Sequence, residues 1–230
     1  MKLVSVVNAY SSDQNPSPPP TWENAAWHLN RMWYGQSGGT SFAKYLDIIA
    51  HELTHGVTQN SSDLVYRDLS GALNESFSDI FGVVIANWYP AQPNALATWN
   101  WEIGAGLGTG GGPIRNFAQP QLTGQPVHMN QYRPLGTYDN GGVHIYSGIH
   151  NRAVYLMMAA KDDFGGDAFP MQELVLLLYW TLARLTQTST FIDSRRTLEN
   201  HVGAYYLNRA NVRAVRLKAV ADAFDAVGIQ

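Results

Sequence analysis

Two histidines four residues apart, with a glutamate directly after the first, constrain this chain more than any other feature: His51-Glu52-Leu53-Thr54-His55. In a helix, positions i and i+4 share a face, about 6 Å apart along the axis. Two neutral imidazoles so placed can hold one divalent metal ion, and Glu52 then projects beside the ion rather than onto it. The surroundings support a helix. Phe42, Leu46, Ile49, Leu53 and Val57 recur at spacings of three and four, which predicts a helix across residues 41–60 with Thr40 or Ser41 as its cap. The alternative is a core helix whose histidines are merely packed.

A hydrolytic zinc site needs a third protein ligand and a fourth position left for water. Residues 71–88 read as a second helix, with Glu75 and Asp79 one turn apart on one face. Glu75 is expected to bind the metal. Asp79 is expected to accept from the non-ligating nitrogen of a zinc histidine and so fix its tautomer. An exposed acidic face is the competing reading. Against it, Ile80, Phe81, Val83, Val84 and Ile85 make the helix look buried, and buried carboxylates need partners.

His51-Glu52-Leu53-Thr54-His55-Gly56-Val57-Thr58 and Gly71-Ala72-Leu73-Asn74-Glu75 together resemble the zinc helix and third-ligand segment of the thermolysin family of zinc metalloendopeptidases. The resemblance implies a mainly α fold of the α+β kind with a small residual β element. It makes His51, His55 and Glu75 the zinc ligands, Glu52 the general base and Asp79 the carboxylate behind the first histidine. Asp139-Asn140-Gly141-Gly142-Val143-His144 is similar to the family segment that carries an oxyanion-stabilising histidine. His144 is then that donor, Asp139 holds its ring, and Tyr66 helps to bind the same oxygen. Without the zinc motif, these would read as a Gly-rich turn and a packed aromatic. The mechanism implied is attack by zinc-activated water, with Glu52 first taking a proton and then passing it to the leaving amine. No covalent enzyme intermediate is needed.

By the same resemblance, Arg115 grips a substrate carbonyl, and Asn24 and Ala25 hold the substrate backbone along an edge strand, a mode in which the peptide adds as a further strand. Phe42, Ile48, Ile103, Leu107 and Ile114 fall near positions lining an apolar pocket, so cleavage before a bulky apolar residue is expected, without a choice between Leu and Phe.

The 230 residues, 45% hydrophobic and 14% charged, suffice for a sizeable core. A net charge of −3 suggests no nucleic-acid partner. The absence of cysteine rules out disulfides and leaves the compartment open. The apolar run 174–180 is too short to cross a bilayer, so no membrane partner is expected. The first residues carry one charge and then turn polar, so a signal peptide is not expected there; secretion is implied by the resemblance alone and a cytoplasmic location stays open. The first forty residues look irregular, with one possible strand at 3–7 and a proline-rich stretch at 16–20. Residues 104–112 read as a loop, and helices are expected at about 144–161, 170–187, 193–208 and 211–226. An active-site lobe at 1–143 and a helical lobe at 144–230 are expected, with the cleft between them.

Two departures from the family pattern stand out. Most of the family's N-terminal β-rich region has no counterpart here, which implies a short form or a processed fragment, and self-association through the surface left by that sheet. At the family's double calcium site, Asp47 and Glu102 remain, but Ala86, Asn100 and Ala105 stand where acidic ligands are expected. Calcium wants six to eight oxygens, so the double site is expected to be absent, with weak single-site binding left open. The runner-up reading is a non-catalytic zinc-binding or interaction module derived from such a peptidase. Retention of Glu52 and His144, which merely holding zinc does not require, argues against it. His28, His128, His150 and His201 receive no role.

Overall fold

The computed structural model describes residues 3–11, 22–88 and 95–230. The proline-rich stretch lies outside the described residues. Near the N-terminus, β1 (Ser5–Val7), β2 (Ala25–His28) and β3 (Arg31–Tyr34) form a sheet in the order β1-β3-β2. β1 runs parallel to β3, and β2 pairs antiparallel to it with Ala25 opposite Tyr34. The hairpin between β2 and β3 turns on Leu29 and Asn30, both with positive φ. A two-residue hairpin turn of this kind is normally marked by Gly or Asn, and leucine gives no such signal. This region therefore holds more strand than its composition predicts. The short pair β4 (Gln36–Ser37) and β5 (Thr40–Ser41) leads into a single 3-10 turn, Phe42–Lys44.

The expected cap acts on that turn: Ser41 Oγ accepts from the Ala43 N–H. The first α-helix, α1 (Leu46–Gln59), starts only afterwards, with Asp47 in its first turn, where a negative charge suits the helix dipole. The apolar stripe forecast for α1 is only partly its buried face. Leu46 is 44% exposed, and Ile49, Leu53 and Val57 are half-buried against the core. The deepest face instead carries His51, Glu52, Thr54 and Thr58. The reason is α2 (Asp68–Trp88), which packs against this polar face on one side and against α3 (Asp139–Met158) on the other. Enclosed on two sides, α2 is buried nearly all round, with Asn74, Glu75, Ser78 and Asp79 towards the site and apolar residues elsewhere. Leu73, Phe77, Ile80, Val83 and Val84 are all buried in α2, each stabilising the fold by about 2 kcal/mol before entropy is counted. Gly56 lets α1 approach the sheet, because a Cβ there would sit 2.7 Å from the Trp27 ring.

Between α2 and α3 lie the short strands β6 (Glu102–Ile103) and β7 (Arg115–Asn116), paired antiparallel around the Gly-rich segment. The entry to α3 is unusual. Asp139, Asn140, Gly141 and Gly142 all have positive φ (48°, 49°, 91° and 93°), so regular helix begins near Val143. Behind α3 stand α4 (Met171–Arg184), α5 (Phe191–Tyr205) and α6 (Ala210–Asp225), close to the forecast ranges. The architecture is mainly α, with six α-helices and small sheets among the described residues, as the resemblance implies. Among the described residues no helix is long and apolar enough to cross a membrane.

Candidate active site

The polar faces of α1 and α2 meet at the floor of a cleft of about 1260 Å³. His51, His55 and Glu75 come together there. His51 Nε2 and His55 Nε2 are 3.0 Å apart, His55 Nε2 lies 3.2 Å from Glu75 Oε1, and His51 Nε2 lies 3.5 Å from Glu75 Oε2. Nitrogen and oxygen ligands about 2.0–2.1 Å from a tetrahedral zinc stand roughly 3.3 Å from one another. The three edges bracket that value. Glu75 is fully buried, and its Oε2 has no hydrogen-bond partner. A buried, unpartnered carboxylate oxygen beside two imidazole nitrogens is a cation site by its chemistry. Among the described residues this is the one His/Asp/Glu group compact enough to hold a metal.

The tautomers follow from acceptor-only neighbours. Asn74 Nδ2 donates to the Leu64 carbonyl (3.2 Å), so Asn74 Oδ1 faces His55 Nδ1 at 2.8 Å and must receive its proton. Ser78 Oγ adds a contact to the same nitrogen at 3.1 Å. His51 Nδ1 lies 2.9 Å from Asp79 Oδ1, a close electrostatic contact without the alignment of a linear hydrogen bond. Both Nε2 lone pairs are thereby turned into the site, the arrangement in which outer groups set the tautomer of metal-binding histidines.

Electrostatics agree. Burial opposes charge on His55, but the Glu75 carboxylate overrides it and lifts His55 to about 9. Burial likewise opposes charge on Glu75, yet His144, His55 and His51 hold it well below the usual carboxylate range. On the far side of Glu75, the Tyr66 hydroxyl donates to Glu75 Oε1 and lies 3.1 Å from His144 Nε2. Burial, then the Glu75 charge, raises the Tyr66 phenol and keeps it a donor. His144 is raised first by Glu75, against burial, and further by Asp139. The left-handed run at 139–142 turns Asp139 back onto the helix, so that its Oδ2 accepts from His144 N–H (2.9 Å) and its Oδ1 meets His144 Nδ1 at 2.5 Å.

Glu52 is buried and lines the same cleft, as do Asn24, Ala25, Phe42, Ile48, Leu107 and Ile114. Ile103, expected in the pocket, is instead fully buried in the core, because it packs where α2 has Gly82. Asn24 and Ala25 stand at β2, an edge of the three-stranded sheet. Arg115 reaches the cleft wall, but its fork is already engaged: Nε and Nη2 donate to Asp79 at 2.7 and 2.6 Å. Asp79 also accepts from Asn151 Nδ2 at 2.8 Å. Asn74, Ser78 and Asn151 are the site residues that sequence reasoning missed. Asn74 and Ser78 share the helical face of Glu75 and Asp79, which is a readable signal, whereas Asn151 comes from α3 and is not.

A second hollow, of about 810 Å³, is lined by Lys44, Asp47, Ala86, Asn87, Asn100, Glu102 and Ala105 among others. Asp47 Oδ2 accepts from Gly104 N–H at 2.6 Å, and the Asn87 amide clamps Asn100 through two bonds of 2.7 and 2.8 Å.

Residues 62–229 match the model of the thermolysin metallopeptidase α-helical domain, and residues 1–59 that of the thermolysin metallopeptidase catalytic domain. The chain is 35% identical over 218 residues to a bacillolysin of Bacillus cereus, covering 90% of this chain and 36% of that protein. It is 34% identical over 217 residues to a thermolysin of Alicyclobacillus acidocaldarius, covering 90% and 38%. The solved precursor of protealysin, a metalloproteinase from Serratia proteamaculans, superposes with a TM-score of 0.73 at 31% identity, covering 91% of this chain and 66% of that one. The chain thus spans a little over a third of the length of these curated relatives. Family models that together run almost end to end, meeting just after the two-histidine helix, leave one assignment: the chain belongs to the thermolysin family of metallopeptidases.

Proposed function

We propose that the chain is a zinc-dependent endopeptidase that cleaves peptide bonds before bulky apolar residues. The observation that carries this is the triangle of His51 Nε2, His55 Nε2 and Glu75, with edges of 3.0–3.5 Å, opening into a peptide-sized cleft. Bound zinc would supply Lewis acidity, lowering the pKa of an attacking water and polarising the scissile carbonyl. Glu52 takes the water's proton and returns it to the leaving amine. His144 and Tyr66, adjacent across Glu75, donate to the oxygen on which charge develops, and Asp139 holds the His144 ring for this. Asn24 and Ala25 take the substrate backbone along the sheet edge. Phe42, Ile48, Leu107 and Ile114 supply the apolar pocket, and Arg115 binds substrate through Nη1, which carries neither bond to Asp79.

We read the cleft as lying between lobes 1–143 and 144–230. In support, its rim includes His144 and Gln187, whose backbone and side chain tie to Val65 and Asp63 at 2.8 and 2.7 Å. In the second hollow, Asp47 and Glu102 are too few for tight calcium, and Asp47 is already bound to Gly104. A relative in Staphylococcus epidermidis, 35% identical, is named an extracellular elastase. We take secretion as the working expectation on that likeness.

The test is cleavage of an unfolded protein with and without a zinc chelator, alongside Glu52→Gln. The expected result is chelator-sensitive cleavage, lowered about 100- to 10,000-fold by the substitution with zinc still bound one per chain. Zinc binding with no cleavage of any unfolded protein would instead identify a binding module.

A further inference from the structure

Behind the metal site runs a line of buried polar groups that the proposed chemistry does not use. Asn151 Nδ2 donates to Asp79 Oδ2 at 2.8 Å. Ser76 Oγ donates to Asn151 Oδ1 at 2.6 Å and lies 2.7 Å from His150 Nδ1. His150 Nε2 lies 2.9 Å from Ser194 Oγ. Ser76 is on α2, His150 and Asn151 on α3, and Ser194 on α5. All four are buried, and the imidazole is boxed by the rings of Phe77, Phe191 and Phe224 at 5.5–5.6 Å.

We propose that His150, protonated on Nδ1, is a positioning residue for the metal site, closing the far end of a relay of hydrogen bonds that ends on Asp79.

The direction of every bond follows from the carboxylate. The Arg115 fork donates to both Asp79 oxygens, Nε to Oδ2 at 2.7 Å and Nη2 to Oδ1 at 2.6 Å, so both oxygens act as acceptors. Asn151 must therefore present Nδ2 to Asp79 and Oδ1 to Ser76. Oδ1 only accepts, so the single Ser76 hydroxyl proton goes to it. Ser76 Oγ is then the acceptor towards His150, and Nδ1 must carry the proton. Burial drives His150 down to about 3, so the ring is neutral, Nε2 is bare, and Ser194 donates to it. Without His150, the Ser76 hydroxyl is free to turn towards its own helix's carbonyls, a common alternative for serine. The Asn151 amide then loses the bond that holds its Oδ1 end, and with it the firm placement of the Nδ2 it gives to Asp79. Asp79 in turn stands 2.9 Å from His51 Nδ1, so slack in the relay reaches a ligand.

This inference rests on reading His51, His55 and Glu75 as zinc ligands, and its test separates the two. Nitrogen NMR of the metal-free wild-type protein reads the His150 tautomer directly, whatever the site binds. Zinc affinity is then measured by competition with a chelating dye for the wild type, His150→Leu and His150→Asn. The asparagine keeps an N–H near the Nδ1 position. Partners in direct contact with a ligand typically change affinity 10- to 100-fold, so a group three links further back should change it less, by about 3- to 10-fold. We expect the Nδ1–H tautomer, zinc binding about 3- to 10-fold weaker in His150→Leu, and recovery to within about twofold in His150→Asn. An Nε2–H tautomer overturns the proposal. So does wild-type affinity in His150→Leu, or an asparagine variant as weak as the leucine one, which would mark the ring as core filling alone. Should His150→Leu not fold, Ser76→Ala takes its place with the same expected loss, and unchanged affinity there counts equally against the relay. Failure of the wild type to bind zinc would sink the functional reading and leave the tautomer to be judged on its own.

Discussion

Replacing Asp79 by asparagine tests how the site is held from behind. The carboxylate receives four donors on two oxygens. Oδ1 faces Arg115 Nη2 at 2.6 Å and His51 Nδ1 at 2.9 Å, while Oδ2 faces Arg115 Nε at 2.7 Å and Asn151 Nδ2 at 2.8 Å. Asparagine keeps the shape but puts an NH₂ where one oxygen was, so whichever way the amide turns, two donors meet a donor. The guanidinium is also left buried without its counter-charge. Breaking one side of a buried ion pair typically costs about 3–5 kcal/mol. For a domain whose whole stability is about 5–15 kcal/mol, that is a large share, equivalent to roughly 6–20 °C in melting temperature at this size. Urea unfolding at pH 7 with a chelator present measures this term without the metal. The double variant Asp79→Asn/Arg115→Met removes the stranded cation as well, and should recover about 1–2 kcal/mol relative to Asp79→Asn alone. A loss below about 1 kcal/mol in the single variant, or a double variant no more stable than the single, would refute the claim that the Arg115–Asp79 pair anchors this wall.

In the metal-free protein, His55 at about 9 contributes stability that is complete below pH 6.5 and lost as pH rises towards 9. His150 at about 3 resists protonation in the fold, so its contribution is complete above pH 6.5 and lost as pH falls. Urea midpoints in chelator should therefore peak near pH 6.5 and decline on both sides, by up to about 3 kcal/mol on the alkaline side and about 5 kcal/mol on the acid side; a plateau from pH 6.5 to 9 would contradict the His55 assignment. Zinc must displace the same His55 proton, so its affinity should fall by up to about tenfold per pH unit below about 9, a slope that competition titration at pH 6–9 would show or exclude. With zinc bound, His144→Ala should lower kcat by about 100- to 1000-fold and Tyr66→Phe by less, with little change in KM; loss confined to KM would remove both from the transition state.

Much of this site is legible in the sequence, because two helices carry it at a known period. Residues 51 and 55 share one face of α1, and 75 and 79 share one face of α2. The same arithmetic brings 74 and 78 onto the α2 face, where Asn74 and Ser78 meet His55 Nδ1 at 2.8 and 3.1 Å. Periodicity served less well where backbone conformation decides. The left-handed run at 139–142 is marked by Asn-Gly-Gly but forms no pattern of apolar spacing, and the β2–β3 turn at Leu29-Asn30 lacks glycine altogether. In α1 the most apolar stripe is not the most buried, since the polar face is the one enclosed by α2 and the cleft.

The relay from Asp79 to Ser194 lies beyond any local pattern, because its members come from three helices. Yet α3 does carry a hint. His150 and Asn151 interrupt a segment otherwise rich in apolar residues (Ile149, Ala153, Val154, Met157), all buried in the fold. Two adjacent polar side chains inside such a helix must either disturb its packing or find partners there. Adjacent positions on a helix point about 100° apart, so the pair meets at Ser76 but diverges beyond it. Asn151 reaches Asp79 and Ser76 on α2, while His150 bridges Ser76 to Ser194 on α5. The polar pair is therefore what ties the metal-binding helices to the helical layer behind them. On the relay proposed above, residues that never approach the cleft bear on the placement of His51 through Asp79.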